Sequence, residues 1–354
     1  MLEYGNLTHA EARGDVASLS VSKPQLTGSG PRPVNLKSDL AALADLIELA
    51  FADTMDNGGR AAIREMRTLS RIGPSLGIVP AMSDLLIGMG LGFVWIEDGR
   101  LVGNVSIFPA SLPPEARRAW IIANVAVHPD YRERGIARAL MHDSLNSVHQ
   151  RSGSPAGVIL QVEAQNWKAR HLYDTLAFDE EGTFTLWRRA PGPPPRPVLG
   201  GPGSYITRRG RGDWRSELAL ARLARPEAAG GIGWLRPPMP SLFRPSIRKA
   251  LTDLINLRGM ERLVVESQRD RRILASLWVE RGFGASSVQL TLMAEPDAGA
   301  EAMDLLLTAL RRFGEDSTLA IEHPSKDEVV SALLDRFGFR KVRTLVHMRK
   351  EVES

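Results

Sequence analysis

The chain has 354 residues, more than one hydrophobic core ordinarily organises, so two domains are expected. Its 45 lysines and arginines against 41 aspartates and glutamates give a net charge of only +4, which excludes the concentrated basic character of a nucleic-acid-binding protein. The absence of cysteine excludes disulfides, thiolate metal sites and a cysteine nucleophile, and it fits a cytoplasmic location.

The first 32 residues are polar and rich in turn-forming residues. We expect residues 1–32 to form an extension, and because they lack an apolar core they do not resemble a signal peptide. The best candidate for a membrane span, Leu85 to Ile96, is about a dozen residues long and too short to cross a bilayer. We interpret it as a buried helix end that runs into a strand, and we predict no membrane association.

Residues 33–190 show the alternation of helices and strands of a mixed α/β domain. An amphipathic helix is predicted over "LKSDLAALADLIELAF", with Ser38 as the candidate N-cap. The run "FVWIEDGRLVGNVSIFPA" predicts a β-hairpin, because Asp98-Gly99 supplies the positive φ angles of a tight turn. Further strands are predicted over "AWIIANVAV" and "GVILQVEA", each followed by a helix.

A stretch rich in proline and glycine, residues 191–204, divides the chain almost in half and is predicted to be a linker. Residues 205–354 repeat the order of elements of the first half. A strand ending in Glu295-Pro296-Asp297 stands where the first half has His128-Pro129-Asp130, and each half closes with a strand. The repetition predicts an internal duplication.

The strand "AWIIANVAV" runs into a turn that carries arginines around one glycine. A helix is predicted to begin near Gly135, and a helix start presents unbonded N–H groups and the positive end of a dipole. Gly135 and Ala137 leave room for an anion to approach the backbone, while Arg134 and Arg138 add positive charge. A pyrophosphate would suit this turn, although such a turn by itself is more often an ordinary, solvated helix start.

Two motifs follow one another in this half. The first is Val127 and Pro129, followed by Arg132-Glu133-Arg134-Gly135-Ile136-Ala137. The second is Val162, Asn166, Ala169, Leu172-Tyr173 and Ala177-Phe178. Together they resemble the signatures of the GNAT superfamily of N-acetyltransferases, with Ala177 where that family usually has glycine. The resemblance implies two GNAT-like domains of mixed α+β fold, each with a central, mostly antiparallel, splayed mixed sheet flanked by helices.

The resemblance also implies a catalytic first domain, residues 33–190, that passes an acetyl group from acetyl-CoA directly to a primary amine of an acceptor. In that family the pantetheine arm lies in the cleft between two splayed strands, here against Val125, Ala126, Val127 and Asn166. The pyrophosphate lies on the turn and the helix start, at Arg132, Arg134, Gly135, Ile136, Ala137 and Arg138. Asn166 is predicted to cap its helix as well.

Tyr173, by resemblance, is the acid that protonates the departing sulfur. The alternative is a half-buried core tyrosine, since it shares a helical face with other apolar residues. The base stays open, because many family members carry a glutamate where this chain has Ala123. Glu163, His128 and His171 are candidates, and a chain of water molecules is an equal alternative. Glu163 is also expected as a solvated strand residue.

Acceptor recognition is expected between the first helix and the first hairpin, in residues 51–84. Asp53, Asp56 and Glu65 are candidates for attracting a cationic amine, although a solvated helix face explains each of them as well. Nothing in this stretch identifies the acceptor.

The second half is predicted to be a degenerate copy. Its helix start has lost the arginines and carries Glu301 and Asp304 instead, and like charge at that position opposes a phosphate. The counterpart of Tyr173 is Leu334, which has no proton to donate. Residues 205–354 are therefore expected to serve structure, acceptor binding or regulation.

Two other classes of site are predicted to be absent. The scattered histidines predict no metal site. The cluster "RRGRGDWR", Arg208 to Arg215, is interpreted as a solvated strand end rather than a nucleic-acid contact. A non-catalytic acyl-CoA-binding or sensing protein is the main alternative to an enzyme, and a scaffold without cofactor is a third. The duplication leaves monomer and homodimer both open.

Overall fold

The protein is described by a computed structural model over residues 29–53, 55, 57–72, 91–152, 156–194, 205–246, 259–282 and 287–352. The first half contains the strands β1 (Gly30–Pro33), β2 (Phe93–Glu97), β3 (Arg100–Pro109), β4 (Ala119–Val127), β5 (Ala156–Glu163) and β6 (Asp179–Arg189). Its described helices are α1 (Leu36–Ala50), α2 (Asn57–Ile72), α3 (Ile136–Ser152) and α4 (Trp167–Thr175).

The second half contains the strands β7 (Ile206–Arg208), β8 (Gly259–Glu266), β9 (Ile273–Arg281), β10 (Val288–Ala294), β11 (Leu319–Pro324) and β12 (Arg340–Val352). Its described helices are α5 (Trp214–Ala224), α6 (Pro240–Phe243), α7 (Gly299–Phe313) and α8 (Glu328–Arg336). The predicted hairpin of β2 and β3, the helix after the arginine-rich turn and the closing strand of each half are confirmed. Residues 73–90 and 195–204 lie outside the described residues, and with them half of the Leu85–Ile96 stretch and most of the linker.

The twelve strands of the described residues join one sheet, in the order β1-β2-β3-β4-β5-β12-β6-β11-β10-β9-β8-β7. The last strand of each half has crossed over: β12 pairs antiparallel with β5, from Leu345↔Glu163 to Val352↔Ala156, and β6 pairs antiparallel with β11. The mixed α/β class and the flanking helices are confirmed. The sheets of the two halves, however, are joined rather than separate, because each half completes its sheet with the other's last strand and so leaves no open edge between them.

The strand order supports the predicted duplication. Counted inward from either edge of the sheet, corresponding strands of the two halves take the same places: β1 corresponds to β7, β5 to β11 and β12 to β6. The two halves are thus related by an approximate two-fold axis between the adjacent strands β12 and β6, which pair antiparallel. The boundary at 191–204 divides the halves in sequence but not in the sheet.

Helices cover both faces of the sheet in the first half. Val94 and Ile96 of β2 pack with α1 and α2, whereas the alternate residues Phe93 and Trp95 pack with α3 and its neighbours. Because successive side chains of a strand point to opposite faces, α1 and α2 lie on one side of the sheet and α3 and α4 on the other. No helix in the described part of the chain is long and apolar enough to cross a membrane.

Two predictions near the N-terminus are wrong by a few residues. Residues 30–32, assigned to the extension, belong to the sheet, since β1 pairs antiparallel with β2 from Gly30↔Ile96 to Pro33↔Phe93. The N-cap of α1 is Asn35, whose side chain accepts a hydrogen bond from the Lys37 N–H at 3.0 Å, and Ser38 lies inside the first turn. Asparagine and serine are both good caps, so composition alone does not choose between them.

The second residue after each of the helices α4 and α8 has the left-handed conformation. Gly338 has φ +81°, whereas its counterpart Ala177 has φ +58°. A Cβ atom at Gly338 would meet only Arg189 Nε, at 3.8 Å, so the two positions differ in backbone strain rather than in space.

We therefore expect Ala177→Gly to raise the free energy of unfolding by roughly 1 kcal/mol, because relief of strain exceeds the added entropy of the unfolded chain. Gly338→Ala is the mirror control and is expected to lower the free energy of unfolding by a similar amount. Urea denaturation of both variants checks this, and a shift in the same direction for both would contradict it.

Candidate active site

Strands β4 and β5 part in the middle of the sheet. Their parallel pairing runs from Ala119↔Gly157 to Ile121↔Ile159 and then ends, although both strands continue. From residue 123 onward, the edge of β4 that faces β5 is therefore free to pair with something else. This is the splayed cleft that the family resemblance implies.

A β-bulge in β4 marks the point of parting. Asn124 has φ +52°, and the register with β3 shifts between Asn104 and Ser106. The bulge is held by side chains, since Asn104 Nδ2 donates to Asn124 O at 2.9 Å and Asn124 Nδ2 donates to Ser106 Oγ at 3.2 Å. Amides and a hydroxyl therefore surround Asn124. The residue before it, Ala123, stands where many GNAT proteins carry a glutamate.

The arginine-rich turn is compact and ends in a helix start. A short 3-10 turn, Pro129–Tyr131, leads through Gly135, whose φ is +79°, into α3 at Ile136. The arginines are held in place by hydrogen bonds: Arg132 Nε donates to Val127 O at 3.2 Å and Arg138 Nη2 donates to Thr175 Oγ1 at 2.9 Å. The first N–H groups of α3 thus face outward from a cationic turn, which suits an anion.

One cavity of about 530 Å³ joins the cleft to the turn. Nine of the ten residues predicted to hold acetyl-CoA line it, as does Tyr173: Val125, Ala126, Val127, Arg132, Gly135, Ile136, Ala137, Arg138 and Asn166. The exception is Arg134, whose guanidinium donates to Asp130 O at 2.9 Å and lies over the Tyr131 ring. The predicted residues are brought together, while their roles remain predictions.

Tyr173 is buried in the wall of this cavity. It is 5 % exposed and packs against the Phe178 ring, and its hydroxyl has no hydrogen-bond partner among the described residues. Burial raises the pKa of Tyr173 above its ordinary value, so the hydroxyl keeps its proton at neutral pH. The two interpretations of Tyr173, a core residue and an acid at the site, are therefore compatible, since the side chain belongs to the core and also lines the cavity.

The candidate bases lie away from the lining of the cavity. Glu163 is half-buried near the end of β5, and burial raises its pKa while Arg343 opposes that shift. His128 caps the 3-10 turn by accepting from the Asp130 N–H at 3.3 Å. His171 is exposed on α4. The predicted cap of α4 is confirmed, since Asn166 Oδ1 accepts from the Ala169 N–H at 3.1 Å.

Several lining residues were not predicted from the sequence. Ala50 and Phe51, at the end of α1, close the cavity on one side, and Lys168 bridges it by pairing with Glu133 at 2.6 Å. The predicted acceptor region contributes α2, on which Glu65 is exposed, and Asp53 is exposed as well. Asp56 lies outside the described residues.

The strand exchange brings a residue of the second half beside the cleft. His347 of β12 is 2 % exposed, and its Nε2 lies 2.8 Å from Gln161 Nε2, on the stretch of β5 that parts from β4. It also borders a cavity of about 240 Å³ that both halves line, among others by Ile159 and Trp234. No pattern in the sequence pointed to His347, because its position depends on which strand β12 joins.

The second half lacks the arginine-rich turn and the tyrosine of the first cleft. Leu334 is fully buried on α8 at the place of Tyr173, and Glu301 lies in the first turn of α7. The basic cluster lies at the far edge of the sheet, where Arg208 pairs with Glu261 at 2.9 Å and Arg209 with the buried Glu217 at 3.0 Å. Among the described residues, no group of three histidine, aspartate or glutamate side chains is arranged to hold a metal ion.

Comparison with known proteins bears on this site. Residues 81–178 match the model of the acetyltransferase (GNAT) family. That range contains the turn, both parting strands and α4. The N-terminal half carries a GNAT-family acetyltransferase domain.

A solved structure resembles nearly the whole chain. The GCN5-related N-acetyltransferase from Sphaerobacter thermophilus has a TM-score of 0.57 at 16 % identity, over 92 % of this chain and 96 % of that one. This likeness shows that both halves of the present chain together have the fold of that GNAT protein.

Two curated relatives match the same GNAT domain. The N-acetyltransferase 8B of Rattus norvegicus is 31 % identical over 103 residues, which is 28 % of this chain and 46 % of the relative. The ribosomal protein bS18-alanine N-acetyltransferase of Escherichia coli K12 is 39 % identical over 57 residues, 16 % of this chain and 37 % of the relative. The chain thus spans less than half the length of either relative.

Proposed function

We propose that this protein transfers an acetyl group from acetyl-CoA to a primary amine, and that the first half alone carries the reaction. The observation that carries the proposal is the single 530 Å³ cavity that unites a free strand edge, a cationic helix start and the buried Tyr173. The two relatives, both N-acetyltransferases by name, support amine acetylation.

Each part of the cavity has a task in this proposal. The free edge of β4 at Val125, Ala126 and Val127 offers backbone groups to the amides of the pantetheine arm. The first N–H groups of α3, with Gly135 in front of them, receive the pyrophosphate, and Arg132 and Arg138 add charge-assisted contacts. Asn166 lies against the same arm while its side chain caps α4.

The proposed reaction is a direct transfer. The amine nitrogen attacks the thioester carbonyl, a C–N bond forms and the C–S bond breaks. The nitrogen loses one proton and the sulfur gains one, so that the products are an amide and a thiol. No cysteine is needed, which agrees with a chain that has none.

Tyr173 is proposed to protonate the sulfur. Its pKa is raised by burial, so it holds a proton at neutral pH and is able to donate it. Glu163 remains the side-chain candidate for the base, because burial raises the pKa of its carboxyl and strengthens it as a proton acceptor. Since Glu163 does not line the cavity, the proton would reach it through water.

A non-catalytic acyl-CoA-binding or sensing protein is the second candidate. It is favoured by Ala123, beside the bulge, which occupies the place at which many GNAT proteins have a glutamate. Both candidates need the cavity to hold an acyl-CoA, and they differ only in turnover.

Calorimetric titration with acetyl-CoA, followed by thiol release in the presence of a panel of primary amines, tests both. We expect micromolar binding and at least one amine that accelerates thiol release above the amine-free rate. Binding without acceleration by any amine would favour the sensing protein. If acetyl-CoA does not bind, both candidates are wrong.

A further inference from the structure

The second half contains a cleft built like the first. Strands β10 and β11 pair in parallel from Val288↔Leu319 to Leu290↔Ile321 and then part, as β4 and β5 do. The shared order of elements gives each part of the first cleft a counterpart. Phe51, Val125, Val162, Asn166 and Tyr173 correspond to Arg225, Leu292, His323, Asp327 and Leu334.

Arg225 lies inside this second cleft. It is the residue after α5, as Phe51 is the residue after α1, and it is only 4 % exposed. Its Nη2 donates to Leu292 O at 2.7 Å and to His323 Nδ1 at 2.7 Å. Leu292 O is the counterpart of the Val125 carbonyl, which belongs to the strand predicted to pair with the pantetheine arm.

His323 carries the contact across the cleft to α8. A guanidinium group only donates hydrogen bonds, so His323 Nδ1 must accept, and its Nε2–H donates to Asp327 Oδ2 at 2.8 Å. The other oxygen of Asp327 accepts from the Val330 N–H at 3.1 Å and caps α8. Burial and the neighbouring Arg225 lower the pKa of His323 to about 4, which agrees with this neutral form.

The two clefts therefore differ in what fills them. In the first half, Phe51, Val125 and Asn166 line an open cavity. In the second half, Leu292 and Leu334 are fully buried and His323 is 2 % exposed, and the Arg225 guanidinium contacts both parting strands, β10 at Leu292 and β11 at His323. Arg225 Nη1 is buried without a hydrogen-bond partner, so removing this cation from water costs free energy that its hydrogen bonds offset only in part. An apolar side chain would fill the same space without that cost.

We propose that Arg225 is a built-in occupant of the second cofactor cleft, where its guanidinium takes the backbone carbonyl that a pantetheine arm would take and so closes this half to acyl-CoA. The identity of the cleft rests on the proposed function of the first half. It follows that the chain binds one acyl-CoA although it contains two GNAT-like folds.

The test is Arg225→Ala, titrated with pantetheine and with acetyl-CoA. Arg222→Ala is the matched control, since Arg222 is an exposed arginine in the last turn of α5, three residues before Arg225. Its Nε lies 3.4 Å from Pro238 O. Wild type and Arg222→Ala are expected to bind one pantetheine, in the first half. Arg225→Ala is expected to bind a second and to melt about 5 °C lower or more.

The stoichiometry decides the proposal. One pantetheine per chain in all three proteins, or an unchanged melting temperature for Arg225→Ala, would overturn it. A wrong proposed function would give a different result, because acetyl-CoA would then not bind to the wild-type protein at all. The effect of Arg225→Ala on the melting temperature could still be measured in that case.

Arg225→Ala also carries a second readout in case it does not fold. Methylguanidinium chloride replaces the lost group and is expected to restore folding of this variant, while sodium chloride at equal concentration does not. If neither salt restores it, the contacts of the guanidinium with Leu292 and His323 are not what holds the cleft, and the proposal is wrong.

Discussion

Gly135→Asp is expected to weaken acetyl-CoA binding by at least about 100-fold, whereas Gly135→Asn is expected to cost less than about 10-fold. Gly135 lies in front of the first N–H groups of α3, where the pyrophosphate is proposed to bind. A carboxylate there repels the phosphates at short range and competes with them for the same N–H groups.

The comparison isolates charge from shape. Gly135 has φ +79°, a conformation that aspartate and asparagine tolerate better than other side chains, and a Cβ atom there meets nothing within 4 Å. Both variants are therefore expected to fold, and they differ by one amide group in place of one carboxylate oxygen.

Isothermal calorimetry at low salt measures the effect. Ala300→Asp, in the first turn of α7, is the control for adding a carboxylate to the corresponding helix start of the second half, and it is expected to leave binding unchanged. Equal affinities for Gly135→Asp and Gly135→Asn would mean that the turn does not hold the phosphates.

Local features of the site could be predicted from the sequence because short-range chemistry determines them. Asp98 and Gly99, with φ of +49° and +73°, make the predicted tight turn, and Asn166 caps its helix as its position before α4 predicts. The same holds for Gly135 and the helix start behind it. In each case one or two residues decide the conformation with their immediate neighbours.

The pairing of the last strands could not be predicted in this way. The strands β6 and β12 are counterparts in the duplication, and either one placed beside β5 completes a sheet of the same order. The sequence pattern of a strand fixes which face is buried but not which of two equivalent edges it joins. The contact of His347 with Gln161 could therefore not be predicted from the sequence.

Arg225 shows the same limit for a side chain. In the sequence it follows α5 among other arginines and has the pattern of an exposed helix end. Its burial depends on Leu292 and His323, which lie 67 and 98 positions further along the chain. Only the folded sheet brings them together, and the motif comparison predicted degeneracy of the second half without indicating what fills its cleft.

Tyr173→Phe is expected to lower kcat by about 100-fold or more while changing the KM for acetyl-CoA by less than about 2-fold. The substitution removes only the hydroxyl. The ring stays in the apolar cluster beside Phe178, so the cavity keeps its shape and its affinity for the acyl-CoA. What is lost is the proton that the sulfur needs as the C–S bond breaks.

Tyr131→Phe is the matched control, because Tyr131 lines the same cavity at the turn and is expected to tolerate loss of its hydroxyl without a change in kcat.

The pH profile of the rate adds a second check. Burial raises the pKa of Tyr173 above its ordinary value near 10, so the wild-type rate is expected to show no alkaline fall from this group below about pH 10. A Tyr173→Phe variant that binds acetyl-CoA and turns over at the wild-type rate would remove Tyr173 as the acid. If no amine is acetylated by either form, the binding site would belong to a sensing protein, in which the hydroxyl has no reaction to serve.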